Sequence, residues 1–261
     1  MKKVTAFVGS ARKKHTHDAV RRFLDDLQAL GDVETEIVAL NDYRIGACLG
    51  CKLCFEKGEE FCPLKDDRDV LIGKMMASDG VVFATPNYSF DVSALLKLFL
   101  DRLGFIFHRP RFFGKTWTNI VTQGIYRGNK IVGYLDFVGM GLGFNTVKGT
   151  CFTALEPMTA RERRKRDKAL AGQSRRFYKE LQKPDCPAPT LVKLMGFRMC
   201  RTSMKLELDE RSRDYRYYEE MGWFDSGYFY PARLGPLKKA AGGLFDTIQS
   251  RMTKNRLKSL R

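Results

Sequence analysis

The chain has 261 residues, of which 44% are hydrophobic, and it carries a net charge of +16. This length suits one large domain, or one domain with an appendage, and leaves ample residues for a core. No stretch approaches the roughly 18 uninterrupted apolar residues of a membrane-spanning helix, and the apolar run after Met1 is too short for a secretory signal. Seven cysteines, an odd number, argue against a secreted disulfide framework, so we expect a cytoplasmic protein.

The positive charge is concentrated in the C-terminal part of the chain. Residues 1–150 hold 21 lysines and arginines against 17 acidic residues, whereas residues 151–261 hold 25 against 13. An anionic partner would therefore meet the C-terminal part first. No recognisable nucleic-acid-binding module is present, so we expect no nucleic-acid partner.

Apolar runs and amphipathic segments alternate along the first 155 residues. Strands are predicted at Val4–Val8, Val33–Leu40, Val81–Ala84, Trp117–Thr122 and Thr146–Thr153. Helices are predicted at Asp18–Leu30, Asp66–Ala77, Val92–Leu103 and Lys130–Phe144. This alternation predicts an α/β fold with a doubly wound, five-stranded parallel sheet. Ligands of such sheets bind at the carboxyl ends of the strands, so the loops after strands one, three and four are the candidate site.

Four of the seven cysteines lie within fifteen residues, after the second predicted strand. Cys48, Cys51 and Cys54 are each separated by two residues, and Cys62 follows after seven more and precedes a proline. Thiolates at this spacing can surround one soft metal centre, as in the opening run of bacterial ferredoxins. Structural zinc more often uses two separated pairs of ligands. The spacing leaves an iron–sulfur cluster, a loop of unmodified thiols, and zinc or disulfides as alternatives.

The first strand-end loop, residues 9–18, joins a strand to a helix N-terminus, where free backbone N–H groups favour a phosphate. It lacks the G-x-G-x-x-G pattern of dinucleotide sites, so a phosphomonoester fits better. In the next loop, Tyr88 and Phe90 are placed to flank a flat ring, and in the third Gly124 permits close backbone approach. Taken singly, each loop is also compatible with an ordinary solvated turn or with aromatic side chains that cover the core.

In combination, these motifs resemble the NADPH-dependent FMN reductases, and more closely the iron–sulfur flavoproteins of the flavodoxin-like group. The resemblance covers roughly residues 1–155 and rests on Gly9-Ser10-x-Arg12, the four cysteines followed by Asp66-Asp67, and Ala84-Thr85-Pro86-Asn87-Tyr88 with Lys97 and Asp101-Arg102. The first loop is about one residue shorter than the common pattern, and His17 stands where a small residue is usual.

The resemblance implies FMN, with its phosphate held by Ser10, Arg12, Thr16 and His17. It implies that Pro86, Asn87, Tyr88, Ser89 and Phe90 meet the ribityl chain and ring, and that Thr122, Gln123 and Gly124 border the ring. It also implies that Cys48, Cys51, Cys54 and Cys62 ligate a 4Fe–4S cluster. No side chain is expected to act as a catalyst beyond the flavin chemistry.

Residues beyond about 155 exceed what a flavodoxin-like domain needs. Pro184, Pro187 and Pro189 predict a linker, which divides the chain into residues 1–183 and a mostly helical, aromatic-rich and basic extension, residues 184–261. Within residues 237–261, one helical face carries Leu237, Ala241, Leu244, Phe245, Ile248 and Met252. Such a helix can lie on an anionic membrane or dock on a partner, or it can pack on the flavin domain or a second subunit.

We therefore expect a flavodoxin-like, FMN-dependent NAD(P)H oxidoreductase that passes electrons to a quinone, a flavin or a ferredoxin-like protein, through the cluster, as a homodimer or tetramer. Two alternatives stay open. One is an electron carrier without its own NAD(P)H turnover, and the other is a membrane-docking protein on a flavodoxin-like scaffold.

Overall fold

The structure is a computed structural model that describes residues 1–183 and 186–259. Pro184 of the predicted linker, and Leu260 and Arg261 of the basic extension, lie outside the described residues. None of the helices in these two ranges is both long and apolar enough to span a membrane.

A parallel sheet forms the centre of the N-terminal part. Its strands are β1 (Lys2–Val8), β2 (Val33–Ala39), β3 (Gly80–Pro86), β4 (Thr116–Gln123), β5 (Asn145–Thr146) and β6 (Thr150–Thr153). The order across the sheet is β2-β1-β3-β4-β5, and β6 also pairs with β4. This is the doubly wound, flavodoxin-like order, so the predicted fold class is confirmed. The single fifth strand predicted at Thr146–Thr153 is present as the two short strands β5 and β6.

Helices connect and cover the strands and continue through the C-terminal part. They are α1 (His15–Gln28), α2 (Leu53–Glu56), α3 (Arg68–Met76), α4 (Ala94–Arg102), α5 (Gly104–His108), α6 (Gly128–Gly141), α7 (Ala160–Leu181), α8 (Leu191–Glu207), α9 (Arg213–Glu220) and α10 (Pro236–Ser259). The mostly helical character predicted for the C-terminal extension is confirmed.

The central strand β3 is buried along its whole length, and β1 and β4 are buried over most of theirs, as is typical of parallel strands covered on both faces. Every residue of β3 is buried, and Val8 of β1 pairs with Ala84 of β3. On one side of the sheet, α1 and α7 pack together, and the rings of Phe23 and Phe177 meet at 5.6 Å. Parallel register brings the carboxyl ends of β1, β3 and β4 to one edge, where the candidate loops emerge.

The described chain divides into two compact units. The first comprises residues 1–48, 64–104 and 110–184, and it contains the sheet. The second comprises residues 49–63, 105–109 and 185–261. The cysteine-rich segment and all of α5 except its first residue thus group with the C-terminal helices in this division. The proposed domain boundary at residues 183 and 184 stays a prediction.

Candidate functional site

The first strand-end loop leads from β1 into α1 through a close approach of two backbones. A Cβ atom at Gly9 would lie 2.7 Å from the Cβ of Leu96, so only glycine fits there. The carbonyl of Gly9 accepts a hydrogen bond from Ser93 Oγ, and Ser93 also caps α4 by accepting from the N–H of Leu96. These contacts hold the loop against the start of α4.

The N-terminus of α1 has no side-chain cap. Its N-cap residue, Lys14, makes no side-chain capping bond, so the first-turn N–H groups are open to an anion. Thr16 Oγ1 shares a hydrogen bond of 2.8 Å with Thr122 Oγ1, which ties the first turn of α1 to the end of β4. Ser10 Oγ donates to the carbonyl of Arg12 at 3.0 Å and tightens the loop. We call this arrangement the phosphate cradle, because its open N–H groups and hydroxyls could hold a phosphate.

A cavity of about 360 Å³ lies at this edge of the sheet. Nine of the twelve residues predicted to contact the flavin line it: Ser10, Arg12, Thr16, Pro86, Asn87, Tyr88, Thr122, Gln123 and Gly124. Its volume lies within the range of small-molecule sites. Loops after three different strands thus converge on one cavity, as the parallel topology requires.

His17, Ser89 and Phe90 do not line this cavity, and their predicted flavin contacts stay predictions. His17 is buried, and its Nε2 lies 3.4 Å from the carbonyl of Ser10, so it packs beneath the loop. Ser89 and Phe90 occupy left-handed backbone conformations in a turn where Tyr88 and Asp91 exchange backbone hydrogen bonds. In that turn the ring of Phe90 lies 5.3 Å from the ring of Tyr126.

Five further residues line the cavity and were missed by sequence reasoning: Lys14, His15, Ala154, Leu155 and Glu156. Residues 154–156 follow β6, so the rule that ligands bind beyond strand ends would have found them. Glu156 pairs with Lys14 at 3.6 Å and with His15 at 3.1 Å. The carboxylate of Glu156 therefore lies beside the phosphate cradle, paired with the Lys14 ammonium and in contact with the His15 ring.

The residues present fit an FMN molecule in three respects. The phosphate cradle has uncapped helix N–H groups, two hydroxyls and a guanidinium. Oδ1 of Asn87 is buried and has no hydrogen-bond partner in the described part of the chain, although its Nδ2 donates to the carbonyl of Tyr126 at 3.0 Å. A buried amide oxygen of this kind needs a partner that a ligand can supply. Tyr88, which is 47% exposed, forms an aromatic wall at the rim.

The cysteine-rich segment folds as a tight, irregular loop. Gly50 and Lys52 adopt left-handed conformations around Cys51, and Cys54 lies in the short helix α2. Cys48 and Cys51 are exposed, and Cys54 and Cys62 are half-buried. Within the described ranges, no three histidine, cysteine or acidic side chains are gathered into a metal-holding group. The four thiols supply the donor chemistry of an iron–sulfur cluster, but their role as ligands stays a prediction.

A buried ion pair secures the base of the cysteine-rich loop. Oδ2 of Asp66 accepts the N–H of Gly46 at 2.8 Å, and Oδ1 accepts the N–H of Arg68 at 3.2 Å. The same carboxylate pairs with Arg102, whose side chain is buried. Burial raises the pKa of Asp66, but the hydrogen bonds from Gly46 and Arg102 outweigh it and hold the pKa below its usual value. Asp66 and Arg102 thus form a buried clamp at the base of this loop.

The chain matches known proteins through its sheet-containing part. The model of the family described as NADPH-dependent FMN reductase matches residues 2–155. An iron–sulfur flavoprotein from Archaeoglobus fulgidus is 32% identical over 158 residues, which cover 56% of this chain and 70% of that protein. An iron–sulfur flavoprotein from Methanocaldococcus jannaschii is 39% identical over 101 residues, but these cover only 38% of this chain and 51% of that protein.

Solved structures share the fold at low sequence identity. The apo form of an NADH:FMN oxidoreductase superimposes with a TM-score of 0.51 at 21% identity and covers 70% of this chain and 92% of that one. A putative quinone reductase from Klebsiella pneumoniae superimposes with a TM-score of 0.56 at 18% identity and covers 73% and 89%. These likenesses establish the fold.

Proposed function

The chain belongs to the NADPH-dependent FMN reductase family of oxidoreductases, and from this premise we propose that it binds FMN in the cavity of about 360 Å³ and uses NAD(P)H to reduce a quinone, flavin or protein acceptor. The observation that carries the proposal is the convergence of three strand-end loops on that cavity. Bound FMN would supply the hydride and electron chemistry, and the protein supplies its binding and orientation.

Each group of lining residues has a distinct part in holding FMN. Ser10, Arg12 and Thr16, with the N–H groups of α1, would hold the phosphate. Asn87 Oδ1 would accept a hydrogen bond from the ribityl chain or the ring, and Tyr88 would exclude water from one side of the ring. Thr122 and Gln123 at the end of β4 would border the ring, together with Gly124 just after the strand, which leaves open space there.

The test is an FMN titration of the protein stripped of flavin. Arg12→Ala removes a charged donor from the cradle and should weaken FMN binding about 10-fold or more, since a hydrogen bond to a charged group contributes about 1.5–3 kcal/mol. Lys13→Ala is the matched control, because Lys13 is exposed and does not line the cavity. Equal FMN affinities of the two variants would refute the assignment of the cradle.

Turnover separates the reductase from the electron carrier. A reductase oxidises NAD(P)H steadily when FMN, or a quinone in its place, is supplied as acceptor. A carrier shows no such oxidation, while its bound flavin is still reduced by a reduced ferredoxin. Comparing NADH with NADPH in the same assay identifies the preferred donor.

We further propose that Cys48, Cys51, Cys54 and Cys62 hold a 4Fe–4S cluster, which would supply one-electron transfer. The spacing supports this, as do the names of the relatives, which are called iron–sulfur flavoproteins. Cys51→Ala should lose iron and retain FMN after anaerobic purification. Cys151→Ala is the control, because burial raises the pKa of the Cys151 thiol to about 11 and makes it a poor metal ligand. Wild-type protein free of iron would refute the cluster.

Contact of α10 with an anionic membrane is a second candidate function, supported by the arrangement of this helix. The side of α10 that faces α8 is polar: Asp246 accepts hydrogen bonds from Arg201 at 2.8 Å and Thr202 at 2.9 Å, and Gln249 donates to Ser203 at 2.6 Å. The opposite side is apolar and exposed, and it carries Leu237, Leu244, Ile248 and Met252. A helix in water normally buries its apolar side. We therefore expect a lipid surface or another protein to cover the exposed apolar side of α10.

The charge beside the apolar side of α10 favours an anionic lipid surface. Arg251, Lys254 and Lys258 are exposed along its edge, and residues 151–261 carry a large basic excess. If two copies of the chain paired through this face, these cations would lie close together and repel each other, which disfavours such a dimer. Vesicles of phosphatidylglycerol should bind the protein, and Leu244→Glu should abolish binding, whereas Val70→Glu, at an exposed apolar residue of α3, should not. Equal binding to neutral phosphatidylcholine vesicles would refute the electrostatic part.

We also propose a cytoplasmic homodimer or tetramer. The exposed apolar rim of Tyr88, Phe90, Ile125 and Tyr126 supports association through the flavin edge of the sheet. Sedimentation of the FMN-loaded protein tests this, and a monomer at micromolar concentration would refute it.

A further inference from the structure

A second cavity, of about 640 Å³, lies within the unit formed by residues 49–63, 105–109 and the C-terminal helices. It is larger than the candidate flavin cavity and shares no lining residue with it. Its apolar wall is formed by Phe55, Phe107, Met199, Met204 and Leu208. Two aromatic rings and two methionines form a wall that favours a flat aromatic ring.

One end of this cavity carries a histidine held by a buried ion pair. Nδ1 of His108 lies 2.6 Å from Oδ2 of Asp214, and the ring of His108 lies 4.4 Å from the ring of Phe55. Asp214 is 2% exposed and pairs with Arg109, which is fully buried and also pairs with Glu59 at 2.9 Å. A buried network of this kind is costly to assemble and holds its members in fixed positions.

Because Nδ1 of His108 faces Asp214, only the other ring nitrogen, Nε2, can contact a ligand. In the neutral ring, Nδ1–H donates to the Asp214 carboxylate, so Nε2 is an acceptor. His108 lines the cavity, and the structure gives Nε2 no partner in the described part of the chain. A ligand in the cavity therefore meets a hydrogen-bond acceptor, Nε2 of His108, at the polar end of the cavity. A hydroxyl group of the ligand can donate a hydrogen bond to this nitrogen.

The charges at the rim disfavour an anionic ligand. Lys52 lines the cavity together with two acids, Glu56 and Glu207. The buried Arg109 is already paired with Asp214 and Glu59. Among the described residues around the cavity, the cations are thus matched by acids and do not favour a phosphate or a carboxylate, so nucleotides and free flavin phosphates do not fit.

From these features we propose that the second cavity binds a neutral, flat aromatic compound that carries a phenolic hydroxyl. The ring lies among Phe55, Phe107 and Met199, and the hydroxyl donates to Nε2 of His108. The site is independent of the proposed redox function and stands whether or not the protein turns over NAD(P)H.

Calorimetric titration of the full-length, FMN-saturated protein with 2-naphthol tests the site, because excess FMN keeps the ligand out of the first cavity. Naphthalene, which lacks the hydroxyl, should bind about 2- to 10-fold more weakly, as expected for one hydrogen bond. The anion 2-naphthoate should bind more weakly than 2-naphthol. Failure of 2-naphthol to bind, or equal binding of the three compounds, would overturn the proposal.

Two variants locate the binding. Met199→Trp fills the cavity and should weaken 2-naphthol binding about 10-fold or more, whereas Met195→Trp, one turn earlier on α8 and outside the lining, should not. His108→Phe keeps the ring beside Phe55 but removes the acceptor, so 2-naphthol should lose its advantage over naphthalene. Equal affinity of the two tryptophan variants, or a retained hydroxyl preference in His108→Phe, would overturn the assignment. The unchanged FMN content of each variant shows that it is folded.

Discussion

Replacing Asp66 by asparagine removes the charge that joins the two ends of the cysteine-rich loop. The Asp66 carboxylate accepts backbone hydrogen bonds from Gly46 and Arg68 and pairs with Arg102, and the side chains of Asp66 and Arg102 are only 6% and 2% exposed. An asparagine preserves the size and one acceptor oxygen, but it removes the negative charge that faces the buried Arg102 guanidinium.

The expected cost follows from that burial. Breaking a buried ion pair by removing one partner costs about 3–5 kcal/mol. Because the substituted side chain would still accept a hydrogen bond from Gly46, we expect Asp66→Asn to lower the free energy of unfolding by about 3 kcal/mol, the lower end of this range. Natural domains have about 5–15 kcal/mol of stability, so the variant should fold but unfold at clearly lower urea concentration.

The assay is equilibrium urea unfolding of wild type, Asp66→Asn and Asp69→Asn. Asp69 also contacts Arg68, at 2.8 Å, but its side chain is 71% exposed, so its loss should cost about 0–1 kcal/mol. The pKa of Asp66 is lowered in the folded state, so its stabilisation is present above about pH 4 and is lost as the pH falls through the folded pKa. The two variants unfolding alike at pH 7 would refute the reasoning.

Three further predictions concern the helices and the edge of the candidate flavin cavity. Gly139→Ala would place a Cβ 2.4 Å from Trp117 and should cost about 1–3 kcal/mol in urea unfolding, whereas Gly133→Ala, on the same helix with no atom within 4 Å, should stabilise by up to about 1 kcal/mol. Ser93→Ala removes the cap of α4 and its bond to the first loop, so it should cost about 1–2 kcal/mol and weaken FMN binding in the same preparation. Glu156→Gln removes a carboxylate beside the phosphate cradle, so FMN titrations at low salt should show tighter binding, and the gain should shrink at roughly 0.5 M salt, where the Debye length is about 4 Å. An unchanged or weaker affinity would contradict this last prediction.

The sheet was predictable because β1 and β3 are buried, mostly apolar runs bounded by turns, and β2 alternates between apolar and polar residues. The predicted core of each of the first four strands lies within the observed strand or extends one residue past it, as at Val33–Leu40 against Val33–Ala39. The fifth strand breaks because Gly149 donates its N–H to Asp136 instead of to β4. No pattern in the local sequence predicts that contact, because it joins the segment between β5 and β6 to a side chain of the preceding helix.

The site was predictable where it follows from topology and not where it depends on distant contacts. The three strand-end loops had to meet, because parallel strands share one edge. The second cavity joins His108 to Asp214 across a long stretch of sequence, and no pattern within either segment predicts the pairing. The contacts between the polar side of α10 and α8 were likewise not predictable, because the partner residues lie some forty to fifty residues apart in the sequence.

The grouping of residues 49–63 with the C-terminal helices has a consequence for how the protein is made. The carbonyl of Cys54 accepts a hydrogen bond from Arg109 at 2.9 Å, and the carbonyl of Phe55 accepts one from Ser212 at 3.4 Å. Ribosomes add about 5–20 residues per second, so the cysteine-rich segment is synthesised roughly 8–30 s before Ser212. Until Ser212 is made, the segment lacks its contact with that residue. During that interval its thiols can bind metal, become oxidised or be bound by chaperones.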